Sequence, residues 1–307
     1  MNQLILGDCL EVLKTLASDS VDLIYLDPPF FSNRNYEVIW GDKGEIRSFE
    51  DRWSGGVDHY IAWLKERVEE MHRVLKPTGS IFLHCDWHAD AYIRVFILDK
   101  IFGEQNFRNE IIWKRSYGHG DSKKSLGRSH DVILYYVKNQ KKYLLNCFYH
   151  AHDPKYIDSF FKHSDKRGIY KLENLTSPSP RPNLTYEYKG YPPPAKGWRV
   201  NLEKMEGLDK DGRLHFPSKN DGRIMRKVYL HELEGQPMTD MWTDIKPLSA
   251  HDSDRLGYPT QKPEALLERI INMASNEDDI VLDPFNGGGT TVAVADRLNR
   301  QWIGISS

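Results

Sequence analysis

At 307 residues, with 39% hydrophobic and 28% charged side chains, the chain has material for one large core or two modest ones, and a net charge of −2 gives it no global pull toward nucleic acid. No run approaches the roughly 18 apolar residues of a membrane span, and the amino terminus lacks a basic-then-apolar signal, so the expectation is a cytoplasmic protein with no membrane partner. Cys9, Cys85 and Cys147 are few, odd in number and far apart, which implies neither a disulfide framework nor a zinc module.

Residues 4–6 predict a short strand that Gly7-Asp8 breaks, and residues 9–16 predict a helix. Asp8 with Glu11 makes a capping-box-like start. Asp8 reads equally as that cap and as an acceptor for a ligand's amine, because it stands at a strand's carboxyl end. Residues 21–26 predict a buried parallel strand, and the two prolines that follow cannot continue a ladder. Asp27 and Phe30 therefore fall where open α/β sheets bind ligands.

The stretch Asp27-Pro28-Pro29-Phe30 carries specific chemistry. A carboxylate and a proline-fixed carbonyl offer two acceptors that fit an –NH2 group. An aromatic ring beside them can lie on a planar heterocycle, a contact of roughly 1–3 kcal/mol per base. The target this suggests is an exocyclic amine on a base.

The polar segment at 31–56 predicts a mobile loop over the site. Ile61, Leu64, Val68, Met71 and Leu75 recur at three and four, which predicts an amphipathic helix over 57–76, ended by Pro77-Thr78-Gly79. A strand is expected at 80–84. His84-Cys85-Asp86-Trp87-His88 contains metal-ligand types, but they alternate sides of a strand end and read as a strand-to-helix turn. A helix over 89–102 stops at Gly103. Residues 109–113 and 131–136 predict two strands joined by a bridge with Lys114, Arg115, Tyr117, Lys123 and Lys124, which suits either a phosphate backbone or a solvated tip.

Over 138–240 the strand–helix rhythm is lost, and proline-rich runs appear. Tyr170, Tyr186, Tyr188, Tyr191, Trp198 and Tyr229 supply material for a separate, loop-rich insertion. Tyr258-Pro259-Thr260-Gln261-Lys262-Pro263 then leads into a helix over 264–274 with Pro263 at its first position. A strand at 280–282 runs into Asp283-Pro284-Phe285-Asn286-Gly287-Gly288-Gly289-Thr290-Thr291, with a helix starting near Thr290. Strand, glycine turn and helix are the layout of a dinucleotide-type cradle. A last strand is expected at 302–305.

Asp27-Pro28-Pro29-Phe30 resembles the Asp-Pro-Pro-Tyr/Phe motif of S-adenosylmethionine-dependent amino-methyltransferases. With the Thr260-Gln261-Lys262 segment and the late glycine motif, the order resembles the β-class of permuted DNA amino-methyltransferases over residues 1–137 and 240–305. The resemblance implies a three-layer Rossmann-like α/β fold, a mainly parallel sheet with circularly permuted motif order, and an inserted target-recognition region. The expected divisions are a catalytic half at 1–137, the insertion at 138–240 and a cofactor half at 241–307.

The resemblance also implies the site. Asp27, Pro28, Pro29 and Phe30 would act on the base, with Asp27 and the Pro28 carbonyl holding the amine and Phe30 stacking. Asp283, Phe285, Asn286, Gly287, Gly289 and Thr290 would cradle S-adenosylmethionine, Asp8 would meet its adenine, and Thr260, Gln261 and Lys262 would close its methionine end, with Asp27 nearby. No metal is implied. The implied partner is double-stranded DNA, and the family is compatible with a homodimer and a cognate restriction endonuclease. The implied reaction is site-specific methylation at adenine N6, with cytosine N4 as the alternative. Where a dinucleotide-type site places an acid after the glycine turn's next strand, this sequence has Ile305-Ser306-Ser307. That departure motivates a second reading, an inactive DNA-binding module. A nucleotide-dependent oxidoreductase is a third, and it leaves Asp27 to Phe30 unexplained.

Overall fold

The computed structural model describes residues 2–31, 56–116, 126–147, 149–218, 222–249, 252 and 261–306. The predicted loop at 31–56, the tip of the basic bridge and Thr260 lie largely or wholly outside these residues. The chain divides into two compact units, Met1–Cys147 with Thr239–Ser307, and Phe148–Met238.

In chain order the larger unit begins with β1 (Gln3–Leu6), α1 (Cys9–Thr15), β2 (Val21–Leu26), α2 (Gly56–Val74) and β3 (Leu75–Cys85). A helix, α3, starts at Asp90–Tyr92, passes through a π-helical segment at Ile93–Leu98 and ends at Asp99–Ile101. Then come β4 (Phe107–Lys114) and β5 (His130–Val137). The second unit holds β6 (Tyr149–His150), α4 (Pro154–Phe160), β7 (His163–Asp165), β8 (Gly168–Asn174), α5 (Leu202–Lys210), β9 (Leu214–His215), β10 (Met225–Tyr229) and β11 (Gln236–Pro237). The larger unit resumes with β12 (Met241–Trp242), α6 (Glu264–Ala274), β13 (Ile280–Asp283), α7 (Thr290–Arg297) and β14 (Gln301–Ser306).

Eight strands form one sheet in the order β1-β14-β13-β2-β3-β5-β4-β12. The first five are mutually parallel, and β5 runs antiparallel between β3 and β4. This is the mainly parallel α/β sheet the sequence predicts. Every residue of β2 is buried, as a strand covered on both faces requires. Asp22, inside that strand, is satisfied by Lys76 Nζ at 2.7 and 2.9 Å and by the Ile280 N–H at 2.9 Å. The core joins Leu13, Ile24 and Leu26 to Leu64, Val68 and Met71 of α2 and to Ile93 and Ile97 of α3.

Three local expectations need correction. The strand after α2 starts at Leu75 rather than at residue 80, with a register shift against β2 between Val21 and Leu23 that absorbs Pro77 to Gly79. The helix after Asp86 is interrupted by its π-helical segment, which no apolar periodicity signals. Pro263 is the N-cap of α6, with ψ at 138°, so it stands one residue outside the first helical position.

The second unit is more ordered than a loop-rich reading suggests, with a four-stranded antiparallel sheet in the order β7-β8-β10-β9. Tyr188, Trp198, Met205, Leu214 and Ile224 build its own core, with Tyr186 and Tyr191 packed against it. Residues 138–147 belong with the larger unit. There Lys138 Nζ meets Asp19 at 2.7 Å, and the Asn146 N–H donates to Met273 O at 2.9 Å.

Candidate active site

Parallel strands bring the carboxyl ends of β1, β14, β13, β2 and β3 to one edge of the sheet, and the chain leaves each of them there. Asp8 follows β1, Asp283 ends β13, Asp27 follows β2 and Asp86 follows β3. Neighbouring strands thus bring Asp283, one residue past the Leu282–Ile24 pair, and Asp27, three past it, to the same end of the sheet although one lies near each end of the chain, and the Asp27 charge acts on the Asp283 carboxyl. Asp27 and Lys262 form an ion pair, both side chains being largely buried. The Lys262 ammonium also lies 5.3 Å from the centre of the Phe30 ring.

Phe30 leans on a buried imidazole. Its ring centre is 5.8 Å from that of His84, whose other neighbours are Trp113 at 5.7 Å, edge-on, and Tyr25 at 6.3 Å. Tyr25 Oη and His84 Nδ1 are 2.9 Å apart, and His84 Nε2 is 3.3 Å from Asp131. A carboxylate can only accept, so Nε2 carries the proton and Nδ1 accepts from the tyrosine. Burial and the Lys262 charge depress the His84 pKa, against the pull of Asp131, and keep the ring neutral. Arg115 reaches the other oxygen of Asp131 at 3.0 Å. His84 is therefore a hydrogen-bonded core group, and His88 bonds separately to Asp86 at 2.8 Å.

The glycine turn has the geometry of a cradle. Gly287 and Gly289 hold φ of 46° and 80°, the left-handed region that side chains resist. Gly289 caps α7, and its N–H donates to Asn286 O at 2.7 Å. The Asn286 carboxamide packs on Gly304, where an added Cβ would come within 2.9 Å of Asn286 Cγ, and Asn286 Oδ1 is buried without a partner. Asp283 is 3% exposed. Burial pushes its carboxyl up to about 7, opposed by hydrogen bonds from Thr291 and the Phe285 N–H.

Asp8 performs the helix-capping role, accepting from the Leu10 and Glu11 N–H groups at 2.9 and 3.3 Å. Its second oxygen takes Arg67 at 3.1 Å. Burial works against the charged form of Asp8, but the Arg67 charge and the two N–H groups outweigh it and hold the carboxyl below its usual value.

Sequence reasoning missed Arg67 and Trp63. Arg67 lies 4.3 Å over the Trp63 ring, and Trp63 packs 5.8 Å from Phe285, so the pair joins Asp8 to the glycine turn. The signal was available, since Arg67 falls three residues after Leu64 in the apolar stripe of α2, where a cation requires a partner. The tyrosine, histidine and Asp131 network was not legible, because its members come from three strands.

Comparisons with known proteins identify the family and the fold. The DNA methylase family model (N6_N4_Mtase) matches residues 21–307. The chain is 31% identical over 287 residues to Type II methyltransferase M.EcaI of Enterobacter cloacae, covering 92% of this chain and 61% of that protein. It is 31% identical over 299 residues to DNA adenine methyltransferase YhdJ of Escherichia coli K12, with coverage of 97% and 76%. The Type III restriction-modification enzyme StyLTI Mod subunit of Salmonella typhimurium is 28% identical, and this chain spans only 50% of it. Among solved structures, PvuII DNA methyltransferase (cytosine-N4-specific) shares the fold, with a TM-score of 0.53 at 15% identity over 99% of this chain and 81% of that one.

Proposed function

The chain belongs to the N6/N4 DNA methylase family, and from that premise we propose that it methylates the exocyclic amine of a base flipped out of double-stranded DNA, with adenine N6 as the target and S-adenosylmethionine as the donor. The observation that carries the reading is the adjacency of Asp27-Pro28-Pro29-Phe30 and the Asp283 glycine turn at the ends of neighbouring parallel strands.

The residues present fit the donor. Gly287 and Gly289 leave backbone open to a close approach, Asn286 Oδ1 is a buried acceptor without a partner, and Lys262 offers a cation. Asp283, Phe285, Asn286, Gly287, Gly289 and Thr290 would hold the donor, with Asp8 toward its adenine and Gln261 and Lys262 toward its methionine end. Thr260 joins them on the resemblance alone. When bound, the donor supplies a methyl group already activated by a positive sulfur.

The chain's part is positioning. The Asp27 carboxylate and Pro28 carbonyl accept the two amine hydrogens and aim the nitrogen lone pair, while Phe30 stacks on the base. The proton that the nitrogen sheds as the new bond forms passes to the Asp27 carboxylate or to solvent. A flipped base costs a few kcal/mol of lost stacking and pairing. The unit Phe148–Met238 supports target recognition by its place in the chain, and its DNA contacts would offset that cost. The name of YhdJ supports adenine, and that of the StyLTI Mod subunit supports a restriction-modification setting; a cytoplasmic location is part of the same proposal. A cognate endonuclease and a homodimer extend the same reading. The name of the PvuII enzyme keeps cytosine N4 as the second reading.

The test is nucleoside mass spectrometry of DNA from a methylase-deficient host expressing this chain. N6-methyladenine is the expected product. N4-methylcytosine would move the target to cytosine, and no methylated base would overturn the proposal.

A further inference from the structure

The second unit has a cleft of about 500 Å³, lined by residues that belong to none of the motifs marking the methylase family in the sequence. One wall is formed by the paired segments 174–178 and 196–199, tied by Ser177 N–H to Gly197 O at 2.9 Å and Arg199 N–H to Leu175 O at 2.8 Å. Pro192, Pro193 and Pro194 make a second, stiff wall, and Gly222 with Arg223 a third.

The lining is positive and short of acceptors for its donors. Lys196, Arg199 and Arg223 are its charged residues, and among the described lining residues there is no Asp or Glu. Two of the cations are oriented by neutral carbonyls. Arg199 Nε donates to Thr176 O at 2.9 Å, and Lys196 Nζ donates to Pro178 O at 3.2 Å. A carbonyl fixes a cation's direction without cancelling its charge, so the cleft keeps a net positive field. The buried hydroxyls of Ser177 and Thr176 have no hydrogen-bond partner, and Ser177 is only 2% exposed. Unsatisfied buried hydroxyls are uncommon and point to a missing ligand group.

The chemistry selects the occupant. A stacked base needs an open aromatic face, but Trp198 is 1% exposed, its indole N–H is spent on Tyr186 O, and no other described lining residue carries an aromatic ring. Oriented cations beside hydroxyl donors suit a tetrahedral oxyanion. We propose that this cleft seats one phosphodiester of the DNA backbone, gripped by Arg199 and Arg223, with Lys196 on its rim and the Ser177 and Thr176 hydroxyls as neutral donors. The inference rests on the DNA-methylase reading and adds to it an anchoring point outside the larger unit.

The test uses the full chain with end-labelled fragments of host genomic DNA, read by fluorescence anisotropy over a salt series. The double variant Arg199→Gln, Arg223→Gln is expected to bind at least about tenfold more weakly, and its slope of log affinity against log salt to flatten by about 1, the mark of one lost phosphate. Ser177→Ala is expected to weaken binding by a few-fold with the slope unchanged. Titration with S-adenosylmethionine, read by calorimetry, should be the same in parent and variants and reports the larger unit, while an unchanged tryptophan fluorescence signal from Trp198 and an unchanged thermal unfolding profile show that the second unit of each variant is folded. DNA affinity and slope unchanged in the double variant would overturn the inference. So would a saturable inorganic phosphate site that the variant loses while DNA binding stays intact, because the cleft would then serve a free anion. A parent chain that methylates no DNA overturns the function itself, whereas a parent that methylates DNA beside indifferent variants overturns only the cleft.

Discussion

Lys262 donates a hydrogen bond to the Asp27 carboxylate across 235 positions of sequence, and the same ammonium faces the Phe30 ring. The pair ties the segment before α6 to the end of β2, so one carboxylate is shared between the two halves of the proposed site. Asp27→Asn keeps the shape and removes the anionic acceptor. Methyl transfer should fall by roughly a hundredfold or more in kcat, the scale of losing one transition-state hydrogen-bonding group, while cofactor affinity measured by calorimetry changes much less. Equal losses in both would make Asp27 a cofactor ligand first.

Tyr25 and His84 share a buried hydrogen bond of 2.9 Å beneath Phe30. Tyr25→Phe leaves the imidazole acceptor unsatisfied and should cost about 1–3 kcal/mol in denaturant unfolding. The acid side carries a second signature. Burial lowers the folded-state pKa of His84, so the neutral ring adds no penalty above the unfolded value of about 6.5, and stability falls as pH drops below it. His84→Gln should lack that portion of the acid sensitivity, and an unchanged profile would show that the ring is protonated in the fold.

Asp283 carries the opposite dependence. Its folded pKa is raised to about 7 from 3.8, chiefly by burial. The neutral acid costs nothing at low pH, and the penalty grows between pH 4 and 7 as the unfolded chain ionises first. It is complete above pH 7, on the order of 4 kcal/mol. Asp283→Asn should therefore stabilise the chain at pH 8 and do little near pH 4. A difference independent of pH would place the ionised form in the folded protein.

Gly304 is the floor under Asn286. A methyl group there would come within 2.9 Å of the Asn286 carboxamide carbon and 3.1 Å of its nitrogen and oxygen. Gly304→Ala should push the carboxamide aside and weaken S-adenosylmethionine binding by about tenfold in calorimetry, on the scale of one misplaced hydrogen bond to a charged group. Affinity equal to the parent would remove Asn286 from the cradle.

The local chemistry was legible because it resides in short stretches. Pro28 and Pro29 end a strand wherever it lies, Gly287 and Gly289 permit a left-handed turn, and the alternation of apolar and charged residues in α2 specifies a helix. These features determined a parallel α/β sheet, a strand-end acid and a glycine cradle. The pairing of β13 with β2 was not in any local pattern, since parallel neighbours are chosen by burial of whole faces rather than by contiguous residues. The same holds for Arg67 on Asp8, for His84 between Tyr25 and Asp131, and for the positive cleft of the second unit, where scattered polar residues acquire partners, or go without, only once the backbone is closed. Sequence fixes what each side chain can donate, accept or stack upon; the fold decides which of them meet, because the energy of a buried polar group depends on its neighbours in space.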